Sequence, residues 1–360
     1  MRKLVCVLGV ALLAVAAQAT GITPGNLVVE RIGTGSAPLA TSTATAVFLD
    51  EYTPAGFLVQ SIPMPTAPSG NNKILTNSGT SSAECFVKLS VDRQYLTLMG
   101  YNATPGTTGV ATSTSAAVNR TVAKVSVATG AVDTSTAFTD VASGSSPRTA
   151  ITTNGTDLWL NGGAGGVRYS TFGSTTSSQL NTANPVNTRL LNIYNGQLYV
   201  SSGSTWWGVG TVGTGLPTAP TVTLTELPGF PTVTGPSPYD FYFANSSTLY
   251  VADDRTQVNG GGIQKWTFNS GTSQWQLAYT LSLGTVGARG LIGTTNGLGQ
   301  TVLYATSTTT ALVGITDTGS GAVYSTIATA PLNTAFRSVT FFPEPCSLLL
   351  LGLGALIRRR

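Results

Sequence analysis

The 360-residue chain contains no histidine. That absence excludes a Ser-His-Asp triad, a Cys-His nucleophilic pair and every zinc site that draws on imidazole. Cysteine is nearly missing as well. Of the three present, Cys6 and Cys346 lie in the terminal segments, and Cys85 is alone in the body, without a partner for an internal disulfide or a thiolate metal site. Charge is scarce: Asp, Glu, Lys and Arg make up 9% of residues, far below the usual quarter or so. The formal net charge of +4 belongs to Arg2, Lys3, Arg358, Arg359 and Arg360; between the tails there are 13 basic and 13 acidic residues. A neutral body implies no basic face for nucleic acid or anionic lipid. No phosphate loop of the Gly-Lys-Ser/Thr kind is present. Gly162-Gly163-Ala164-Gly165-Gly166 lacks a following helix pattern and reads as turn chemistry. No metal and no cofactor is implied.

What fills the gap is Gly, Thr, Ser and Ala, with 41% hydrophobic residues and enough aromatics (12 Tyr, 12 Phe, 5 Trp) to argue for a folded, β-rich chain rather than disorder. The N-terminus has the order of an export signal: Arg2 and Lys3, an apolar run from Leu4 to Ala16, then Ala17-Gln18-Ala19 as a small-x-small cleavage site. The run is too short to span a bilayer, which takes about 20 apolar residues. Residues 1–19 are therefore expected to be removed before Thr20.

The C-terminus reads FFPEPCSLLLLGLGALIRRR. From Leu348 to Ile357 every residue is apolar or glycine, and at about 1.5 Å per residue this reaches half of a hydrocarbon core of about 30 Å. A stable anchor is a poor reading by length. The terminal Arg358-Arg359-Arg360 nonetheless resists translocation and would hold the segment at the cytoplasmic side during export. Pro343-Glu344-Pro345, the apolar run and the terminal arginines together resemble the PEP-CTERM sorting signal, over residues 343–360 only. The resemblance implies transient membrane contact, recognition by an exosortase-type membrane protease, removal of the tail, and delivery to the cell surface or extracellular matrix of a Gram-negative bacterium. Cys346 stands where that family commonly has a small or hydroxyl residue.

Between the tails, residues 20–342, one pattern recurs. It is seen from Glu84, Arg148, Arg189, Tyr239 and Arg289: an extended apolar stretch, a turn, then a short Leu-aromatic strand, as in RTAITTNGTDLWLNG and RLLNIYNGQLYVSS. Asn154-Gly155 and Asn195-Gly196 are two-residue hairpin signals, because both central positions of a type I′ turn need positive φ. A second hairpin tends to follow, turning at Thr129-Gly130, Ser270-Gly271 or Ser320-Gly321. Two hairpins per unit make four antiparallel strands, and four-stranded units spaced about 40–50 residues apart are the sequence sign of a β-propeller. The last unit is split across the chain ends, with FRSVTFF (336–342) as its innermost strand and NLVVERIG (26–33), AVFLDEY (46–52) and GFLVQSIP (56–63) completing it. The expectation is an all-β, six-bladed propeller closed by pairing of its N- and C-terminal strands. Seven blades remain open if the long unit from Glu84 hides another, with a β-sandwich pair or a solenoid as alternatives.

Aligning the unit starts places Arg148, Arg189, Arg289 and Arg337 with Glu84 and Tyr239 around one mouth of the channel. Guanidiniums so crowded repel one another unless something negative lies among them. A bound anion or acidic sugar is one answer; stapling of each Arg to a neighbouring unit's carbonyls or carboxylates is the plainer one. Asp253 and Asp254 (with Asp50 and Glu51) could supply paired carboxylates for glycan hydrolysis or elimination, or oxygen ligands, although no DxDxDG spacing is present. The plainer reading is solvated loop acids, with Asp254 held by Arg255 or a backbone amide. The adjacent Trp206 and Trp207 face opposite sides of a strand, so one is expected to be exposed, as a sugar-stacking platform or, on the plainer reading, in outer-strand or blade-interface packing. Altogether the residues point to an exported, non-catalytic binding or structural module with extracellular polysaccharide as its partner and no nucleic acid. The alternative is a secreted glycan-active hydrolase or lyase using loop carboxylates.

Overall fold

The computed structural model describes residues 20–344, apart from Thr234. Both the proposed cleavage residues, Ala17 and Ala19, and the tail from Pro345 through Arg358, Arg359 and Arg360 lie outside the described residues. The described chain is all-β, with 25 strands and two single-turn 3₁₀ segments. In order the strands are β1 (Leu27–Ile32), β2 (Ala44–Tyr52), β3 (Leu58–Pro63), β4 (Thr76–Ser78), β5 (Lys88–Leu89), β6 (Tyr95–Tyr101), β7 (Arg120–Ser126) and β8 (Val132–Phe138). They continue with β9 (Pro147–Ile151), β10 (Asp157–Gly162), β11 (Arg168–Thr171), β12 (Ser178–Gln179), β13 (Leu191–Tyr194), β14 (Gln197–Ser204), β15 (Trp206–Val212) and β16 (Leu224–Glu226). The last are β17 (Pro238–Asn245), β18 (Thr248–Asp253), β19 (Gly262–Asn269), β20 (Gln274–Leu281), β21 (Ala288–Thr295), β22 (Thr301–Ser307), β23 (Ala311–Thr316), β24 (Ser325–Thr329) and β25 (Ala335–Phe341).

The arrangement is propeller-like. Four sheets are separate antiparallel meanders of four strands each: β9–β12, β13–β16, β17–β20 and β21–β24. The expectation of uniformly separate units is corrected at the remaining sheet, which has nine strands. It holds two four-strand runs, β25-β1-β2-β3 and β5-β6-β7-β8, joined by β4. The cause is local. β2 is nine residues long, so its first part, Ala44–Ala46, overhangs β1 and pairs with β4, while Thr76 of β4 also pairs with Tyr101 of β6.

The chain ends zip together as the repeat pattern implies. β25 lies antiparallel to β1 from Leu27↔Phe341 to Ile32↔Ala335, with a bulge between Val29 and Arg31. This pairing covers what would otherwise be an open sheet edge. The Asn195-Gly196 signal forms a two-residue turn with φ of 47° and 72°, as type I′ requires. At Asn154-Gly155 the connection is longer, running from Ile151 to Asp157, because the Thr152 hydroxyl accepts the Gly155 N–H and the Asn154 side chain accepts that of Thr156.

Apolar side chains fill the spaces between successive sheets. Leu158, Leu160 and Ala150 meet Met99, Val122 and Phe138; Trp159 and Ile151 meet Leu198 and Val200; Phe241 and Trp266 meet Val209 and Phe230. Tyr250 and Ile263 meet Leu291 and Leu303, Tyr304 and Leu312 meet Leu27 and Phe336, and Val28 and Val47 meet Leu96 and Leu98. The second-strand aromatics Trp159, Tyr199, Tyr250 and Tyr304 are all packed in these interfaces. The innermost strands touch one another in the order β25, β5, β9, β13, β17, β21 and back to β25. That circuit defines a central channel.

Candidate functional site: two mouths of one channel

The first residues of the inner strands gather at one mouth. Arg189 lies over the Tyr239 ring at 4.2 Å, and Arg289 approaches the same ring at 5.8 Å. Arg148 is buried and faces Arg189; its proton affinity is lowered to a pKa of about 10, by burial first and the neighbouring cation second. Arg337 is buried, lies near Arg289 and the carboxyls of Glu30 and Glu84, and is likewise lowered by burial. The register argument thus brings the four arginines together with Glu84 and Tyr239.

Their acceptors come mostly from the neighbouring run. Arg148 donates to Asn187 Oδ1 at 2.8 Å and to the Thr188 carbonyl, both on the approach to β13. Arg337 donates to the Gly79 carbonyl at 2.8 Å, on the approach to β5. Arg289 reaches back to Asp254 at 3.4 Å and to its own run's Thr308 carbonyl. Stapling is therefore present, but it is partial. The Nε–H groups of Arg148 and Arg337 are buried and meet no acceptor among the described residues, and the Arg189 guanidinium makes its contact through the Tyr239 face. Beneath lies a buried acidic layer. Glu84 accepts from Ser78 N–H, Tyr101 Oη and Ser146 Oγ at 2.8–3.0 Å, and Glu30 accepts from Asn77 and Ser338. Burial raises both carboxyls, Glu30 to about 8, and holds the Cys85 thiol well above its ordinary range.

The channel is plugged below this layer. Lys88 on β5 and Asp240 on β17 form a buried ion pair at 2.5 Å across the axis, since β17 stands three inner strands from β5 in either direction. Phe86 and Tyr239 meet one step above, with ring centres 6.3 Å apart. On the far side of the plug is a cavity of about 520 Å³, lined by Arg93 on the turn after β5 and by the later residues of the same inner strands: Leu89 to Val91, Ile151, Ile193 and Tyr194, Tyr242 and Phe243, Ile292 to Thr295, and Thr340 and Phe341. The sequence reading missed this cavity. The signal available was the same alignment followed three to six residues further along each unit, where aromatics and threonines recur.

Each of the four candidate carboxylates is held by donors of its own. Asp253 is fully buried at the end of β18, and its oxygens accept from Ser237 N–H, Arg255 N–H, Arg255 Nε and Nη2, and Gln264 Nε2. It is thus Asp253, not Asp254, that holds Arg255, and neither is a free loop acid, because Asp254 pairs with Arg289. Asp50 is bound by Arg31 and Ser61, and Glu51 by Thr23 N–H, Asn26 and Gln60. Trp206 is buried between sheets and Trp207 half-buried, its N–H donating to the Pro231 carbonyl. Of the Pro343-Glu344-Pro345 triplet, Pro343 lies at the rim of the cavity and Glu344 is exposed beside Gly25.

No family model matches the chain, and no curated protein matches it. Similar solved structures include a Bacteroides uniformis protein provisionally described as a 6-phosphogluconolactonase, 13% identical over 85% of this chain and 83% of that one, with a TM-score of 0.47. Another is the computationally designed Ika8 protein, 8% identical over 90% of this chain and 94% of that one, at a TM-score of 0.44. A third is the extracellular domain of a provisionally assigned one-component system of B. thetaiotaomicron, 13% identical over 82% of this chain and 33% of that one, at a TM-score of 0.39.

Proposed function

We propose that the chain is an exported, non-catalytic binding module of the cell surface or extracellular matrix, and that its arginine-lined mouth takes an anionic group of an extracellular polysaccharide. The body is read as six blades, counting the two four-strand runs joined by β4 as one blade each; the circuit of inner strands and the apolar interfaces between successive runs support that count. Export and surface delivery rest on the terminal segments, with Pro343-Glu344-Pro345 as the mark read by an exosortase-type protease.

The observation that carries the ligand class is the half-finished satisfaction of the arginines. Each of Arg148 and Arg337 is pinned on one edge of its fork, and its Nε–H is buried without an acceptor. A buried donor without a partner is costly, and a carboxylate or sulfate is the acceptor geometry a guanidinium fork matches. Arg189, half exposed and laid on Tyr239, is the member of the group best placed to meet a ligand first.

Calorimetric titration with uronic-acid oligosaccharides tests this reading. Arg189→Leu is expected to weaken binding about tenfold or more, the worth of one lost charge-assisted bond, with little change in melting temperature. Unchanged binding together with a lowered melting temperature would leave the arginines as staples only. Replacing Pro343-Glu344-Pro345 by alanines and fractionating the cells tests the sorting half: the variant should accumulate at the inner membrane.

A further inference from the structure

We infer that the opposite mouth holds a second, independent binding site, specific for a neutral sugar residue. The cavity of about 520 Å³ falls within the range of roughly 300–1,000 Å³ typical of small-ligand sites. Its floor is the plug. Lys88, the cation nearest its base, is already neutralised by Asp240 at 2.5 Å, and the other lining cation, Arg93, is exposed on the turn after β5, so the enclosed part offers no free positive charge to an anion.

The walls alternate aromatic faces with hydroxyls. Tyr242 and Tyr194 are half-buried in the lining, and Tyr194 is backed by Phe243, stacked at 4.8 Å. The Tyr242 ring lies flat on β21 because residue 293 is glycine, where a Cβ would sit 2.4 Å from the ring. Tyr194, Tyr242, Thr294, Thr295 and Thr340 are in the lining, and none of their hydroxyls hydrogen-bonds to another described residue. An apolar ligand would strip water from these hydroxyls without replacing it, at a cost. An anionic one would find a cation only in exposed Arg93, where pairing is worth little. A sugar ring, with hydroxyls around its edge and C–H groups on its face, satisfies both kinds of wall. Because Phe86, Lys88, Tyr239 and Asp240 close the channel between the mouths, this site does not depend on the arginine mouth or on the reading given to it.

An array of neutral and uronic-acid oligosaccharides, followed by calorimetry on the full-length chain, tests the proposal. A neutral oligosaccharide should bind; Tyr242→Ala should weaken it about tenfold or more, Tyr242→Phe and Thr294→Val a few-fold each, one hydrogen bond apiece. Arg189→Leu should leave neutral-sugar binding unchanged. Should Tyr242→Ala fail to fold, the two conservative variants decide alone, since neither alters the packing. Binding of acidic sugars only, lost with Arg189→Leu, would overturn this site while upholding the other. Neutral binding indifferent to all three cavity variants would overturn it too.

Discussion

Glu30 has its carboxyl wholly inside the protein, one residue pair from the closing strand, with Asn77 and Ser338 as donors and Arg337 nearby. Burial raises it to about 8, against an ordinary 4.5. The folded state therefore holds this proton more tightly than the unfolded state does. Its contribution to stability is complete at pH below the ordinary value and is lost as pH climbs toward 8, at no more than about 1.4 kcal/mol per pH unit. Glu30→Gln should flatten that decline, so that the melting temperatures of the variant and the parent agree near pH 5 and separate in the variant's favour by pH 9. A parent whose melting temperature rises between pH 6 and 9 would contradict this. At this scale the sequence was half legible. Register alone aligned Arg148, Arg189, Arg289 and Arg337, because a repeat fixes which residues stand level. It could not supply their acceptors: Asn187 lies 39 residues from Arg148, and Gly79 lies 258 from Arg337. Asp253 misled in part for the same reason: Arg255 gives three of its five donors from two residues on, but Ser237 and Gln264 lie 16 and 11 residues away.

Among the elements, the most legible were those whose turn chemistry is local. Asn195-Gly196 needs nothing beyond itself to reverse the chain, and β13 and β14 follow in register from Leu191↔Val200 to Tyr194↔Gln197. The split sheet was legible because FRSVTFF had no hairpin partner after it. The least legible was β4, three polar residues without alternation, which exists only because the overhang of β2 offers it an edge. Closure makes a sharp claim about truncation. A chain ending at Pro343 keeps β25 and the bonds exchanged by Phe342 with Gly25 and Asn26, and should melt within a degree or two of the full chain. One ending at Thr334 loses β25, exposing Leu27, Val29 and Leu312, and should show no cooperative thermal transition. Equal melting of the two truncations would mean that the ring does not rely on its clasp.

On the scale of the whole molecule, Lys88 and Asp240 join opposite sides of the circuit through one buried contact. Removing one partner of such a pair leaves the other charged in a low-dielectric interior, at a cost of about 3–5 kcal/mol. Lys88→Met should lower the denaturation free energy by that order. Adding Asp240→Asn, which keeps an acceptor for the Phe241 N–H at 3.0 Å, should recover much of the loss in a double-mutant cycle read by urea unfolding. Additive losses would show that the two residues do not act as a pair. The pair could not be read in advance, since its partners lie 152 residues apart, and the cavity beyond it showed in the sequence only as recurring aromatics and threonines, without a shape.

The clasp also decides how the protein meets tension. Residue 343 follows directly on the innermost strand, and a pull there runs along β25, parallel to its ladder with β1. The rungs lie crosswise to that load and must fail together rather than peel one after another. A body hauled by its tail would thus resist in shear, at its axis, with its two openings undisturbed.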